Sequence, residues 1–264
     1  MAETTRLDVE LVERGLARSR THAQQLIDAD LVRVNGQLVR RPAHRVAARD
    51  QLDAPEERYV SRAAAKLLGA LDDLELAVPG RALDAGASTG GFTQVLLERG
   101  CQRVYAVDVG TDQLVAGLRT DPRVVVWEQT NLRDLELRHV DDDPVDLVVA
   151  DVSFISLVLL VAPLAAVTKP TCRLLLMVKP QFEVGRELLG NGGVVRSPAH
   201  RAQAIRDVVA AARVIGWHAQ RVVPSRLLGP AGNAEYFVLL TRTPARTEPD
   251  LEAVVAASPG SPDR

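Results

Sequence analysis

The sequence predicts an α/β protein in which a small basic α+β domain precedes a larger domain built on a parallel sheet. From residue 81 onward, short apolar runs alternate with helical stretches, an order typical of a parallel sheet wound by right-handed crossovers. Between residues 14 and 49, eight arginines stand against two aspartates, a local charge of +6 in a chain whose net charge is −2. This asymmetry indicates that a module suited to a polyanion is joined to a module with another task.

The composition argues against a membrane protein, a metal protein and a disulfide scaffold. The longest apolar run, residues 155–167, has 13 residues, whereas a membrane span needs roughly 20. The charged N-terminus lacks the apolar core of a secretory signal. The two cysteines lack metal-type spacing and the five histidines are dispersed. We therefore expect a protein of the reducing cytoplasm, with no membrane partner and no metal.

The basic region has the pattern of a compact domain. The segment RLDVELVERGLA carries apolar residues near helical spacing, and Ser19 is placed to cap a second helix, RTHAQQLIDAD. In LVRVNGQLVRRP, alternating valines precede Asn35-Gly36, a strong signal for a two-residue hairpin turn. Two short helices and a hairpin would gather the arginines on one basic face.

This order of motifs resembles the small RNA-binding domain of ribosomal protein S-four, the alpha-L motif. The pattern is G-x-A-x-S-R-x-x-A-x-x-L-I followed by V-x-V-N-G, and the resemblance covers about residues 4–53. It implies binding chiefly to phosphate and to RNA shape. The alternative is a solvated arginine face, but so small a domain would not concentrate unpaired charge without a partner. The residues expected to contact RNA are Arg6, Arg18, Ser19, Arg20, Arg33, Asn35, Arg40 and Arg41.

The composition along the chain predicts four segments. Residues 1–53 form the basic domain, residues 54–61 (APEERYVS) form a polar linker, and residues 62–243 form the larger domain. From residue 244 the sequence is rich in proline, alanine and acidic residues without sustained periodicity, so we expect a disordered tail over residues 244–264.

Five strand candidates and three intervening helices define the larger domain. The strands are RALDAG, RVYAVDV, VVVWEQ, DLVVADV and CRLLLMVK, and the helices fit residues 89–99, 112–119 and 155–168. A further helix, PAHRAQAIRDVVAAARVIG, precedes WHAQRVVPS and EYFVLLTR, whose proximity predicts an antiparallel pair at the sheet edge.

The first loop of this sheet, LDAGASTGGFT, predicts a ligand site. A glycine turn between a strand and a helix places backbone N–H groups and a helix N-terminus over a ligand. Ser88 replaces the second glycine of G-x-G-x-x-G, and G-K-[ST] is absent, so neither a pyrophosphate loop nor a Walker loop is indicated. Asp108, which ends the second strand, is placed to accept hydrogen bonds from a ribose. S-adenosylmethionine therefore fits best, and the alternative is that the glycines only permit tight packing.

The cofactor candidates lie on this loop and at the next two strand ends. Asn131, after the third strand, is placed to contact an adenine, although an asparagine in a loop is more often a turn former. The full set is Asp84, Gly86, Ala87, Ser88, Gly90, Gly91, Asp108 and Asn131.

Three lysines remain in a chain with 29 arginines, and two of them stand at strand or helix positions near the predicted ligand site. A lysine can give up its proton in a buried site, whereas an arginine stays charged in proteins. Lys179 ends the fifth strand and Asp151 the fourth, and the carboxyl ends of parallel strands meet at one edge. Glu235 opens the last strand and Lys66 lies on a helix before the first. Lys169 follows a helix and is interpreted as a favourable C-terminal charge; for any one lysine, drift is the alternative.

The set Lys66, Asp151, Lys179 and Glu235 resembles the Lys-Asp-Lys-Glu tetrad of FtsJ-like ribose 2′-O-methyltransferases, which have a Rossmann-like class I methyltransferase sheet. Five motifs in order are similar to those of the TlyA family of hemolysin-named rRNA methyltransferases over residues 4 to about 242. They are S-R-x-x-x-K-L, D-A-G-A-S-T-G-G-F-T, D-V-S-F-I-S-L, V-K-P-Q-F-E and G-N-x-E-Y-F. Ala63 stands where that family commonly has glycine, and the linker EERY lacks the tryptophan seen in some relatives.

The resemblance implies methyl transfer from S-adenosylmethionine to the ribose 2′-hydroxyl of cytidines in ribosomal RNA, in one or both ribosomal subunits. It also implies that the mark sensitises bacteria to capreomycin-type antibiotics. We expect Lys179 to be the base or the group that orients the hydroxyl, with Asp151 and Glu235 positioning it and Lys66 steering the substrate. An exchange of roles between the two lysines stays open at this point.

Three rival functions are weaker. A membrane-active cytolysin would need a spanning or strongly amphipathic apolar segment, and the sequence shows none. A non-catalytic RNA-binding or ribosome-assembly factor would keep the fold without turnover, and the complete tetrad argues against it. A methyltransferase for small molecules would not need the basic domain.

Overall fold

The computed structural model describes residues 4–17, 19–55, 58–190 and 192–259. The chain folds into two compact units, Met1–Val60 and Ser61–Arg264.

The N-terminal unit has the two helices and the hairpin that the sequence predicts, together with three further strands. Ser19 accepts a hydrogen bond from the His22 N–H (3.2 Å) and so caps the second helix. Asn35 and Gly36 both have positive φ, 50° and 78°, which a two-residue hairpin turn requires. The elements are β1 (Thr4–Arg6), α1 (Leu7–Glu13), α2 (Arg20–Asp28), β2 (Arg33–Val34), β3 (Gln37–Leu38), β4 (Arg45–Ala47) and β5 (Leu52–Asp53).

Two small antiparallel sheets and the helices enclose one apolar core in this unit. The strand β1 pairs with β4, and β2 pairs with both β3 and β5. Leu7 and Leu11 of α1 and Ile27 of α2 are fully buried against Val34 and Val46 of the strands. The helical spacing of these side chains thus brings both helices onto the strands.

Asp8, in the first turn of α1, is a buried carboxylate surrounded by donors. It accepts hydrogen bonds from Arg6 Nε (2.9 Å), Arg20 Nη2 (3.1 Å) and Gln24 Nε2 (3.1 Å). The Arg6 guanidinium holds the pKa of Asp8 well below its usual value, against the opposing effect of burial. The folded unit therefore favours the charged carboxylate.

We expect Asp8→Asn to destabilise the protein at pH 7 by about 1–3 kcal/mol, because two guanidinium groups lose their anionic acceptor. The stabilisation is present above the pKa of an unfolded aspartate and is lost as the pH falls towards the lower pKa of the folded state. The difference between wild type and variant should therefore shrink below about pH 4. Urea unfolding at pH 7 and pH 3 measures it.

Asp30→Asn is the matched control, because the Asp30–Arg40 pair is exposed and should add little stability. An Asp8→Asn variant as stable as wild type at pH 7 would contradict the assignment of Asp8.

A seven-stranded sheet forms the centre of the C-terminal unit and confirms the predicted α/β fold. Its strands are β6 (Arg81–Ala85), β7 (Arg103–Val107), β8 (Val124–Trp127), β9 (Val145–Ala150), β10 (Thr168–Val178), β11 (His218–Pro224) and β12 (Tyr236–Thr241). Their order is β11-β12-β10-β9-β6-β7-β8. The five strands from β10 to β8 run parallel, and β12 is antiparallel to β10 and β11, which confirms the antiparallel pair at the edge.

The strand β10 is longer than the sequence predicts. It begins at Thr168, so Lys169 lies in the strand and not in a turn after a helix. Lys169 Nζ lies 2.9 Å from Asp146 Oδ1 of the neighbouring strand β9. Pairing across the sheet, and not the end of a helix, accounts for this lysine.

The helices of this unit flank the sheet. They are α3 (Arg62–Asp73), α4 (Gly91–Glu98), α5 (Ala116–Arg119), α6 (Val161–Ala166), α7 (Pro180–Glu183), α8 (Pro198–Val214) and α9 (Leu251–Ala256). The helix predicted over residues 155–168 is instead a 3-10 turn capped by Ser156 and the short α6. Within the described part of the chain, no helix is long and apolar enough to cross a bilayer.

The prediction of a disordered tail over residues 244–264 is wrong for the described residues 244–259. The helix α9 packs on the core with Val255 only 1% exposed, and Asp250 caps it by accepting a hydrogen bond from the Ala253 N–H (3.0 Å). Leu251 and Val254 also pack against the core. One apolar helical face over six residues outweighs the polar composition around it.

Candidate active site

The turn after β6 runs in close contact with the end of β9. The Gly86 N–H (2.8 Å) and the Ala87 N–H (3.2 Å) both donate to the Val107 carbonyl of β7, which fixes the turn on the sheet. Gly86 has a φ of +85°, and a Cβ at this position would lie 2.7 Å from the Asp151 carbonyl oxygen. Only glycine therefore fits between these two strand ends.

A cavity of about 560 Å³ opens beside this turn. Asp108 lies on its wall, where its carboxylate accepts hydrogen bonds from the Ser88 N–H (2.8 Å) and the Gly110 N–H (2.7 Å). The Ser88 hydroxyl donates to Gln113 Oε1 (3.0 Å). The end of β7 and the glycine turn are thus joined through one carboxylate.

A second cavity, of about 200 Å³, shares part of its wall with the first and contains Lys179. Lys179 Nζ lies 2.6 Å from Asp151 Oδ1 and donates to the Ser153 hydroxyl (2.8 Å). The two charged side chains are 11% and 14% exposed, so the ion pair is largely removed from water but open to the cavity. The ends of β9 and β10 bring together a carboxylate and an amine beside the glycine turn.

Lys66 and Glu235 form a second ion pair, which is more deeply buried. Lys66 Nζ donates to Glu235 Oε2 (2.5 Å), with the side chains 7% and 1% exposed. The sequence analysis predicts that Glu235 positions Lys179. In the structure, Glu235 instead contacts Lys66 of α3. Neither Lys66 nor Glu235 lies on the wall of the two described cavities.

Strand register brings the two ion pairs to the same end of the sheet. The antiparallel ladder between β10 and β12 ends at Val178 and Tyr236. Lys179 directly follows Val178 and Glu235 directly precedes Tyr236, so one member of each ion pair adjoins the last paired residues of the ladder.

Three predicted cofactor residues lie on the wall of neither described cavity. Asp84 is fully buried, and its Oδ2 accepts a hydrogen bond from the Thr93 hydroxyl (2.7 Å). Gly90 starts α4 with a φ of +100°, and a Cβ on Gly91 would lie 2.1 Å from Ser61 Oγ. These glycines permit close packing of α4, so for them the packing alternative holds.

Ionic partners occupy many of the residues predicted to bind RNA. Arg6 and Arg20 share Asp8, and Arg40 pairs with Asp30 through Nε (2.6 Å) and Nη2 (2.9 Å). The guanidinium groups nevertheless remain solvent-accessible, since their side chains are 41%, 58% and 69% exposed.

The other predicted RNA-contact residues divide between the hairpin and the surface. Asn35 joins the hairpin turn to the segment before β5, since its side chain donates to Asp50 Oδ1 (3.1 Å) and accepts from the Gln51 N–H (2.8 Å). Arg33 and Arg41 are exposed. Arg18 lies outside the described residues.

Comparison with known proteins identifies both units. The sequence profile of FtsJ-like methyltransferases matches residues 59–242, and that of the S4 domain matches residues 5–52. The chain belongs to the FtsJ-like methyltransferase family.

Relatives of this FtsJ-like methyltransferase share both units. A Mycobacterium tuberculosis protein named 16S/23S rRNA (cytidine-2′-O)-methyltransferase TlyA is 49% identical over 244 residues, 91% of either chain. Hemolysin A of Brachyspira hyodysenteriae is 37% identical and covers 88% of this chain and 98% of its own. A solved structure described as a candidate hemolysin from Streptococcus thermophilus has a TM-score of 0.77 at 36% identity, covering 97% of this chain and 96% of that one.

The structure of the FtsJ-like domain also adds wall residues that the sequence reasoning missed. Phe154 is 91% exposed on the larger cavity, has a φ of +65°, and its ring centroid lies 5.1 Å from that of Phe182. Val109, 74% exposed, directly follows Asp108 on the same wall. An aromatic residue after Asp-Val-Ser, in a chain with 3% aromatics, was the available signal for Phe154.

The two interpretations of Asn131, as a turn former and as a residue beside the ligand site, are compatible. Its side chain accepts a hydrogen bond from the Arg133 N–H (3.0 Å), which starts the 3-10 turn Leu132–Asp134. The same residue also lies on the wall of the larger cavity.

We expect Asp84→Asn to remove a pH dependence from the free energy of unfolding. Burial raises the pKa of Asp84 to about 7. Its contribution is therefore most favourable below the pKa of an unfolded aspartate, near 4, and is lost as the pH rises towards 7. The wild type should lose stability relative to the variant over that range, because the amide does not titrate. Denaturant unfolding at pH 5 and pH 7.5 tests this, and a constant difference between the two proteins would contradict it.

Proposed function

We propose that the protein transfers a methyl group from S-adenosylmethionine to the ribose 2′-hydroxyl of cytidine in ribosomal RNA. The observation that supports this most directly is the Lys179–Asp151 pair on a cavity wall that also includes the glycine turn. A relative that is 49% identical is named for this reaction on 16S and 23S rRNA. With ribosomal RNA as substrate, the expected place of action is the cytoplasm.

The larger cavity fits S-adenosylmethionine in size and in its polar groups. Its volume, about 560 Å³, lies in the range of small-molecule sites. Asp108 offers carboxylate oxygens to ribose hydroxyls, and Val109 and Leu132 offer apolar contact to an adenine. Ser88 in place of a glycine suits a ligand without a pyrophosphate. When bound, the cofactor supplies an electrophilic methyl group on a sulfonium.

The residues around Lys179 are suited to activating a hydroxyl. A ribose hydroxyl is a weak nucleophile, so the protein must hold it in line and take its proton. Lys179 in its neutral form accepts that proton at Nζ, while Asp151 and Ser153 fix the position of Nζ. An arginine at this position could not act in this way, because the guanidinium does not lose its proton.

The location of the two lysines separates their roles. Lys179 lies on the wall of one of the two described cavities and Lys66 on neither, which supports Lys179 as the base. Lys66 is neutralised by the buried Glu235, and removal of either partner would leave an uncompensated buried charge. We assign Lys66 and Glu235 to holding the edge of the site in place.

RNA binding is assigned to the S4 domain and to the mouth of the larger cavity. In the S4 domain, Arg33 and Arg41 are exposed and offer guanidinium groups to phosphates. Phe154 exposes most of its ring beside the cavity, and proteins that read unpaired RNA commonly stack such rings on bases.

Labelled S-adenosylmethionine and separate, unmodified ribosomal subunits provide the test of substrate and position. We expect label in the ribose of cytidine, mapped by nuclease digestion and mass spectrometry, in the small subunit, the large subunit or both. Label on a base, or no label in either subunit, would refute the proposal. Protein-free ribosomal RNA in a parallel reaction shows whether the assembled subunit is needed.

We expect Lys179→Arg to abolish turnover while cofactor and RNA affinity stay within about threefold of wild type. General base catalysis commonly contributes a factor of about 10²–10⁴, and the guanidinium cannot supply it. Single-turnover methylation measures the rate, and calorimetry and filter binding measure the two affinities.

Lys169→Arg is the matched control, because Lys169 lies in β10, the strand that Lys179 directly follows, and pairs with Asp146 away from both cavities. It should methylate at the wild-type rate. Wild-type turnover by Lys179→Arg would remove Lys179 from the role of base.

A further inference from the structure

The C-terminal helix α9 lies beyond the part of the chain that matches the FtsJ-like family, residues 59–242, yet it is built into the core. Val255 and Ser258 are 1% and 0% exposed. Surface ion pairs join the segment to α8, with Glu252 Oε1 2.8 Å from Arg206 Nη1. Residues 250–258, the C-terminal segment, are therefore part of the folded unit.

Ser258 carries the most deeply buried polar contact of the segment. Its hydroxyl oxygen accepts hydrogen bonds from Arg201 Nη1 (3.1 Å) and from the Tyr236 hydroxyl (3.2 Å). The hydroxyl in turn donates to the Val255 carbonyl (2.7 Å). One serine therefore joins α8, β12 and α9.

Arg201, which donates to Ser258, is a buried cation. The residue is 6% exposed, and no carboxylate lies within ion-pair distance of it among the described residues. Its other donors reach the Arg196 carbonyl (3.4 Å) and the Tyr236 hydroxyl (3.5 Å), and Nε has no partner in the described ranges. Among the residues that the structure describes, this buried cation is held by neutral acceptors, so its stability depends strongly on each of them.

Tyr236 connects this contact to the active site. It directly follows Glu235 and faces Val178, the residue before Lys179. Successive residues of a strand project to opposite faces, so Tyr236 points to α8 and Ser258 while Glu235 points to Lys66. The start of β12 is thus held on one face by the C-terminal segment and on the other by the Lys66–Glu235 pair.

We propose that Ser258 is a positioning residue for methyl transfer: through Tyr236 it fixes the start of β12 and, with it, Glu235, Lys66 and the adjoining Lys179. This inference rests on the proposed function. The C-terminal segment is then a part of the catalytic domain that sets the geometry of the tetrad, and not a stability element alone.

The kinetic test compares Ser258→Ala with wild type at a temperature where both are folded. We expect kcat to fall by about tenfold, because small displacements of reacting groups are costly in rate. The KM for ribosomal subunits and the Kd for S-adenosylmethionine should stay within about twofold, since neither cavity wall contains Ser258. Tyr236→Phe should have a similar effect, and the double variant should be no worse than either single one.

Glu252→Gln is the matched control, because it removes an exposed ion pair from the same helix. It should leave kcat unchanged.

The three lysines of the chain allow a readout that does not need activity. With ¹³C at lysine Cε, the spectrum contains three signals, assigned by the single Lys→Arg variants. In Ser258→Ala we expect the signals of Lys66 and Lys179 to move, while that of Lys169, at the other end of β10, stays in place as an internal reference.

Unchanged Lys66 and Lys179 signals, or a wild-type kcat, in folded Ser258→Ala would overturn the positioning role, even if its melting temperature falls. A wild-type protein inactive on both subunits would instead refute the proposed function. In that case the lysine signals alone decide whether Ser258 fixes the tetrad.

Discussion

The ion pair between Lys179 and Asp151 is the constraint on which the geometry of the candidate site depends. It forms because β9 and β10 are adjacent parallel strands: Asp151 directly follows Ala150, which pairs with Leu176 of β10, and Lys179 lies three residues after Leu176. In such a place an unpaired charge is expensive, since breaking a buried pair costs about 3–5 kcal/mol. The second pair, Lys66–Glu235, follows the same rule, and the two together place two cations and two anions in a locally neutral cluster.

The position of the Lys179 amine is fixed from two sides. Nζ lies 2.6 Å from Asp151 Oδ1 and donates to the Ser153 hydroxyl (2.8 Å). The glycine turn beside it supplies backbone and no side chain. A fixed amine beside a wall of backbone suits a reaction that needs its weak nucleophile held in place.

The sequence predicted the elements of the sheet well and the partners of individual side chains less well. Strand ends and the glycine turn were predictable, because apolar runs and glycine positions are local signals. The contact of Glu235 with Lys66 was not, since it depends on how α3 lies against β12, which no local pattern records. Likewise, nothing in the motif around Asp84 distinguishes a residue under the turn from one on the cavity wall. The helix α9 was missed because its apolar face spans only six residues in a polar background.

In the S4 domain, the number of arginines in the sequence does not by itself describe how their charges are arranged in the structure. Its arginines predict one basic face, and in the structure Asp8 and Asp30 hold three of them in fixed orientations. An arginine that is already oriented loses less side-chain freedom when it meets a phosphate than one that is free in solution. The aspartates therefore reduce the net charge of the S4 domain and at the same time hold the guanidinium donors of these arginines in a fixed orientation.

The close approach of Gly86 to the Asp151 carbonyl has a thermodynamic consequence. A ligand that shifts the turn would also press on the peptide of Asp151, because the two backbones approach too closely for a side chain to fit between them. Two ligands that occupy the neighbouring cavities would in that case be linked through this contact. By reciprocity, whatever the first ligand adds to the affinity for the second, the second adds to the affinity for the first.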